Sequence, residues 1–351
     1  MTPLPARKPE GALRRGWTTG ACATAALRAA LTALIRGAPE DPVAITLPRG
    51  ERPRFALAAF RSGPGWAEAG IVKDAGDDPD VTHGALILTR AAWGAPGSGI
   101  RFHAGEGVGI VTRPGLPLAV GEPAINPAPR AMMTAQIDEL APGADLAVTI
   151  AIPGGAAIAR RTWNPRLGIR GGLSVLGTTG VVRPYSCAAW IASIHRGIDV
   201  ARAAGLDHLG AATGSTSEAA LRAARGLPDH AMLDMGDFAG GVLKYLARHP
   251  VARLSIAGGI GKMAKLAQGA LDLHSARSQV DMDALAGRAG RPLTGAGTAL
   301  EALELAGPRL ADAVAEGARA TAEAVLAGSG VAVEVLVVDR QGRIVGRSCG
   351  F

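Results

Sequence analysis

Asp74, Asp77, Asp78 and Asp80 crowd four carboxylates into one turn, with Lys73 before them and His83 just after. Like charges held this close raise one carboxylate pKa, so such a turn beside a histidine can bind a cation or move a proton. The same residues also make a stiff solvated turn, because aspartate side chains bond readily to nearby backbone. A calcium loop is not the pattern: the residues after Asp78 supply neither its glycine nor its distal glutamate.

A second group of candidates is made of hydroxyls and glycines. The tripeptide Thr-Thr-Gly occurs at Thr18-Thr19-Gly20 and again at Thr178-Thr179-Gly180. The later copy sits in Gly172 to Pro184, an aliphatic run ending in glycines and hydroxyls, as where a strand hands over to a turn that approaches a ligand closely. The earlier copy opens a helix, whose unpaired N–H groups and partial positive charge could hold an anion, or which the threonines could simply cap. If both copies serve one ligand, Thr18 to Gly20 and the loop after Leu176 face the same cleft.

Several familiar signatures are missing. There is no Gly-x-Gly-x-x-Gly fingerprint; Gly261-Lys262 is followed by Met263 where a P-loop needs serine or threonine, and Ile256 stands where its first glycine belongs. No histidine begins a His-Glu-x-x-His, the commonest zinc-hydrolase signature. Cys22, Cys187 and Cys349 are widely spaced and odd in number, which points to a reducing compartment and to neither a disulfide framework nor a metal knuckle. No metal-ligand set is readable.

These residues need elements to position them. After Gly20, Leu27, Leu31, Leu34 and Ile35 recur at helical spacing, predicting one core-facing stripe that ends at Gly37-Ala38-Pro39. Strand-like runs follow at Val43 to Leu47, Arg54 to Phe60, Glu68 to Val72, Ala85 to Thr89 and Leu146 to Ile152. Between them, Gly105 to Gly109 is a turn, and the prolines of Gly121 to Arg130 release the chain into a helix from about Arg130, with Asn126 and Arg130 the polar groups of interest.

From about Asp207 strands alternate with helices: Leu206 to Ala212, Ala231 to Met235 and Arg253 to Ala257 as strands, with Ser217 to Arg225, Phe238 to Arg248 and Lys262 to Leu271 as helices. That alternation predicts a largely parallel sheet, which Val331 to Val338 rejoins. Ligands in such sheets sit beyond the carboxyl ends of the strands, so the turns at Thr213 to Glu218, Gly236-Asp237 and Gly258 to Lys262 should line one crevice. The expected fold class is α/β, with a mixed α+β domain over residues 1–200 and an α/β sheet domain over 201–351.

With 351 residues, 48% of them hydrophobic and 19% charged, the chain has enough apolar content for sizeable cores. A net charge of +7 and a pI near 9.9 favour anionic partners. Nucleic acid is disfavoured, because aromatic residues are 3% and the charge is dispersed. Charged residues interrupt every alanine-rich helix short of a membrane span, and Met1 to Arg15 has no apolar run typical of a secretory signal, so a soluble, cytoplasmic protein is expected, with no membrane partner.

Four stretches together resemble the CbiD family of cobalamin-biosynthesis proteins: Gly16 to Ala26, Val72 to Gly84, Gly121 to Arg130 and Gly172 to Pro184. Pro153 to Gly155, Asn164 to Gly168, Gly261 to Ala267 and His274-Ser275 extend the resemblance, which runs from about residue 14 to the end of the chain. It implies methylation of cobalt-precorrin-5B at C-1 with S-adenosyl-L-methionine as methyl donor and an anionic tetrapyrrole as substrate. A non-catalytic tetrapyrrole carrier of the corrinoid pathway is the alternative. On the resemblance, Asp74 and His83 are the proton-handling candidates; Gly177, Thr178, Thr179, Gly180, Thr213, Gly214, Ser217 and Glu218 are candidates for contacting the donor; Thr18, Thr19, Gly20, Asn126, Arg130, Lys262 and Lys265 are candidates for holding the substrate.

Overall fold

A threonine cap and a glycine exit frame the first large element. β1 (Gly16–Trp17) leads into α1 (Thr19–Arg36); Thr18 accepts the Ala21 N–H, and Gly37, at φ 87°, closes the helix on the Ala33 carbonyl. The computed structural model describes residues 11–351, so residues 1–10, most of the polar leader, lie outside the described residues. Leu27 and Leu31 are fully buried, each stabilising the fold by about 1.5–3 kcal/mol. Ile35 is instead 43% exposed. It stands about 80° round the helix from Leu27, in the last turn before the glycine exit, where the stripe runs out.

The first unit continues with β2 (Val43–Ala44), β3 (Arg54–Phe55), β4 (Ala59–Gly63), β5 (Trp66–Val72), β6 (Leu86–Trp93), β7 (Ile100–Ala104) and β8 (Ile110–Val111). Then come α2 (Pro127–Leu140), β9 (Leu146–Ala151), the short α3 (Gly155–Ala159), β10 (Ile169–Arg170) and β11 (Val181–Val182). Its main sheet has the order β4-β5-β6-β9-β7, antiparallel except where β7 joins β9 in parallel. Alanine dominates the face of α1, and this small-residue surface packs closely on β5, β6 and α2. The buried Thr89 hydroxyl, on β6, donates to the Ala23 carbonyl of α1 at 3.0 Å. Sequence reasoning missed β7, although Ile100, Phe102 and Ala104 alternate with polar residues along it.

The second unit runs from Cys187 to Phe351 and the first ends at Ser186. The expected boundary after residue 200 falls inside α4 (Cys187–Ala203), which packs on α6 (Ala239–Leu246) and β13 (Met232–Asp234) of its own unit. Around these lie β12 (His208–Ala212), α5 (Ser215–Arg225), β14 (Arg253–Gly258), α7 (Ile260–Ala267), α8 (Met282–Ala289), α9 (Ala299–Ala306), α10 (Pro308–Val325), β15 (Ala332–Val338) and β16 (Ile344–Arg347). The strand order is β13-β12-β14-β15-β16, parallel through β15 with β16 antiparallel at the edge. The expected parallel sheet is present, with Val331 to Val338 in it. The chain turns one way from β12 to β13 and then back past β12 to β14, so the carboxyl ends of β12 and β14 form a topological switch point. The overall class is mixed α/β, as expected. Among the described residues no helix is long and apolar enough to cross a membrane.

Candidate functional site

In the first unit the two Thr-Thr-Gly copies are hydrogen-bonded neighbours. The Thr18 N–H donates to the Gly180 carbonyl at 2.9 Å and the Gly20 N–H to the Leu176 carbonyl at 2.9 Å, while β1 pairs antiparallel with β11. The fit leaves no slack: a Cβ on Gly177, whose φ is 130°, would stand 2.2 Å from Thr18 Oγ1. The physical reason for the repeat is therefore mutual. Carbonyls of the second copy's loop take N–H groups that a helix start leaves without acceptors, and the Thr18 hydroxyl takes that of Ala21. Thr18, Thr19 and Gly20 are all buried, so the start of α1 is not an open anion site. What remains exposed is the tip of the later loop, Leu176 and Thr178.

The acidic turn docks against the same place. The Trp17 N–H donates to the Asp74 carbonyl at 2.7 Å, and a Cβ on Gly16 would collide with the Ala75 backbone. Each carboxylate has a partner. Arg14 forks onto Asp74; the Arg14 N–H donates to Asp77 at 2.6 Å; the Tyr185 N–H donates to Asp78 at 2.8 Å; the ammonium of Lys73, 3% exposed, pairs with Asp80 and Thr82. The bonds from Arg14 and from the Gly76 N–H hold the Asp74 carboxyl at a pKa of about 2. Burial lifts Asp78, and would lift Asp80 were it not outweighed by Lys73 and Thr82, which leave Asp80 below the usual carboxylate range. The sequence expectation of carboxylates raised by one another thus applies little here, because cations and N–H donors from distant segments neutralise the crowding. Burial pushes the nearby Cys22 thiol up to about 12.

His83 is 3.9 Å from Asp74, but its Nδ1 accepts the Ala75 N–H at 3.1 Å. With Nδ1 so engaged, neutral His83 carries its proton on Nε2 and offers a donor there rather than a free base. The Gly121 to Arg130 stretch joins the cluster through the Asn126 N–H, bonded to the Val175 carbonyl at 3.0 Å, next to Leu176. Asn126 heads α2 without a side-chain cap bond. Arg130 is committed internally, to the Ile125 and Pro123 carbonyls, to Glu122 at 3.2 Å and over the Phe102 ring. Four sequence motifs far apart in the chain therefore converge. Arg15 and Arg183, both exposed, flank the paired residues Gly16 and Val182 at the end of the β1–β11 ladder.

In the second unit, Thr213 and Gly214 lead from β12 into α5, and Ser217, buried, donates to the Gly214 carbonyl at 2.9 Å. Glu218 lies in the first turn of α5. Lys262, in the first turn of α7, donates to the Thr213 carbonyl at 3.1 Å and stands 3.0 Å from Asp237 Oδ1, so it lies at the switch point. That oxygen is buried yet receives no directed hydrogen bond; the ammonium approaches off the bonding direction. Gly214 and Gly261 have open space where a side chain would project, leaving the backbone there approachable. A buried carboxylate oxygen with unused acceptor capacity, a lysine and two helix starts fit a polar ligand carrying both charges. Lys265 is different. It is 8% exposed and its ammonium donates to the Leu273 carbonyl at 3.0 Å, so it ties down the chain beyond α7 and is not available to a ligand carboxylate. Sequence reasoning passed over Arg14, Arg15, Arg183 and Trp190; only the Gly236-Asp237 turn carried a signal, as a glycine-acid pair leaving a strand.

A family model described as CbiD matches residues 6–184, and one described as CbiD, C-terminal domain, matches residues 272–349. The chain is 60% identical over 351 residues to a cobalt-precorrin-5B C(1)-methyltransferase of Paramagnetospirillum magneticum, with 96% of this chain and 98% of that protein covered. It is 62% identical over 346 residues to a protein of the same name from Rhodospirillum rubrum, with 95% and 97% covered. A 1.9 Å crystal structure of a cobalamin biosynthesis protein (cbiD) from Archaeoglobus fulgidus is 25% identical, covers 74% of this chain and 81% of its own, and superposes with a TM-score of 0.39.

Proposed function

Because this chain belongs to the CbiD family, we propose that it methylates C-1 of cobalt-precorrin-5B in cobalamin biosynthesis, with S-adenosylmethionine as the donor. The observation that carries the reading is 60% and 62% identity, over nearly the whole chain, to proteins named for that reaction. When bound, S-adenosylmethionine supplies an electrophilic methyl carbon on a sulfonium. What is left to the protein is placement and the handling of a proton.

A polycarboxylate substrate gives the net charge of +7 a purpose. In the first unit Arg15 and Arg183 offer forks to its carboxylates, and the Asn126 amide, the Thr178 hydroxyl and the Nε2–H of His83 offer further hydrogen bonds. Exposed Leu176 supplies an apolar edge for the macrocycle. Asp74 acts on position, not as a base: a carboxylate with a pKa of about 2 accepts protons too weakly, and its part is to hold Arg14 and the turn. The Nε2–H of His83 donates a hydrogen bond to a substrate oxygen. In the second unit the switch point at Thr213, Gly214 and Lys262 takes the donor. A cytoplasmic setting suits three free cysteines.

The test is to incubate purified protein with methyl-labelled donor and the ring-contracted precursor and to locate the label by mass spectrometry and NMR. Label at C-1 is expected. Label at another carbon, or none, refutes the reading.

A further inference from the structure

The exposed indole of Trp190 stands at the end of β13 over the Gly236-Asp237 turn, whose carboxylate pairs with Lys262, and the geometry points to Trp190 and Asp237 as the nucleoside-binding part of the donor site. This rests on the reading that the second unit binds S-adenosylmethionine.

Trp190 is 42% exposed, yet its orientation is set. Its Nε1–H donates to the carbonyl of Asp234, the last residue of β13, at 3.0 Å. One edge of the ring lies over Gly236, where a Cβ would come 3.4 Å from it, and Phe238 supports it at a centroid distance of 6.3 Å. Gly236 has φ 56°, so the backbone turns beneath the ring in a conformation that a side chain would strain. An indole fixed by its own hydrogen bond with a face left to solvent gains the fold little from that face, and it presents a flat surface on which a purine can stack.

The next residue supplies the polar half. Asp237 Oδ1 is buried, lacks a directed hydrogen bond and lies 3.0 Å from the Lys262 ammonium, which is itself held by the Thr213 carbonyl. An acceptor with spare capacity suits a ribose hydroxyl or an α-ammonium. Beyond Lys262, the open backbone at Gly214 and Gly261 leaves N–H groups at the starts of α5 and α7 accessible to a carboxylate. Flat ring, acceptor, cation and N–H groups thus follow one another along linked residues, in the order of base, ribose and zwitterionic amino acid in the donor. A polycarboxylate macrocycle fits worse, since the Asp237 carboxylate would repel it.

The experiment titrates full-length protein with S-adenosylhomocysteine, the product form of the donor, and reads calorimetry and tryptophan emission. Trp190→Ala should weaken binding about tenfold or more, and Trp190→Phe, which keeps a stacking face, should stay within a few-fold of wild type. The ligand-induced quenching of wild-type emission should vanish in Trp190→Phe. Asp237→Asn should also weaken binding, whereas Trp93→Ala, at an exposed tryptophan of the first unit, should not. Wild-type affinity in both Trp190→Ala and Asp237→Asn overturns the assignment and leaves the donor reading standing. Equal losses in Trp190→Ala and Trp190→Phe, with lowered melting temperatures, overturn it in favour of a packing role. A wild-type protein that binds no S-adenosylhomocysteine, alone or with tetrapyrrole present, overturns the donor reading and this assignment with it.

Discussion

Gly177→Ala isolates the contact that joins the two Thr-Thr-Gly copies. The residue sits at φ 130°, where an L side chain strains the backbone by about 1–3 kcal/mol. Its new methyl would stand 2.2 Å from Thr18 Oγ1, 2.3 Å from Cβ and 2.6 Å from Cγ2, and forcing that overlap apart costs about 1–3 kcal/mol more. The expected loss is therefore about 2–6 kcal/mol, or roughly 4–24 °C in the melting temperature of a unit this size. All three clashing atoms belong to one side chain, which makes the magnitude separable. Thr18→Gly removes them, and glycine at a helix cap costs only a few tenths of a kcal/mol relative to threonine. In that background Gly177→Ala should cost only its backbone strain, about 1–3 kcal/mol, so the double variant is less destabilised than the sum of the singles. Urea unfolding followed by circular dichroism, with the four proteins compared at equal slope, measures the difference. A Gly177→Ala penalty of the same size in the wild-type and Thr18→Gly backgrounds would refute the interlock.

Other expectations follow from the partners described. Asp74 has a folded pKa below its unfolded value, so its contribution to stability is present above the unfolded pKa and lost as pH falls through about 2; the urea-midpoint gap between wild type and Asp74→Asn should narrow steadily from pH 5 downward. Glu334, buried under a fork from Arg225 and a bond from Ser255, is the most enclosed carboxylate pair of the second unit; Glu334→Gln should cost about 3 kcal/mol in thermal unfolding, and a loss under 1 kcal/mol would show the pair to be dispensable. The Cys22 thiol, buried and pushed to about 12, should react with a disulfide reagent at pH 8 only after denaturation, while Cys187 and Cys349 react in the native protein. If His83 works as an Nε2–H donor, His83→Gln, which can place an N–H nearby, should retain more methyl transfer than His83→Ala; equal activities would remove the donor role.

What the sequence disclosed, and what it withheld, divides by distance along the chain. Local signals were sound: Leu27 and Leu31 mark the buried stripe of α1, Gly37 its exit, and the strand-helix alternation after Asp207 the parallel sheet. Residue chemistry without partners misled. Asp74 looks like a proton carrier beside Asp77 and His83, until Arg14, brought in from a distant segment, ionises it. Lys265 on a helix wheel is indistinguishable from a ligand-facing lysine, and only the path of the chain back to Leu273 reveals where its ammonium goes. The repeat of Thr-Thr-Gly correctly signalled that Thr18 and Gly180 adjoin; it could not say that each copy is largely the other's ligand. Trp190 carried no signal, because an aromatic on an amphipathic helix is ordinarily core, and its exposure depends on where β13 ends.

The bond from Gly20 to Leu176 also has a meaning in time. A ribosome delivers α1 well before the carbonyls that seat its first turn, which are translated only near the end of the first unit. Until then the helix can form and lie on β5 and β6, but its leading turn stays unlatched, and the motif stretches cannot assemble. Closure of the unit is thus a late, long-range event in the chain's birth, the kind of high-contact-order step that slows folding. A chain truncated just short of Leu176 should fold its sheet and leave the site open, and extension past Gly180 should shut it.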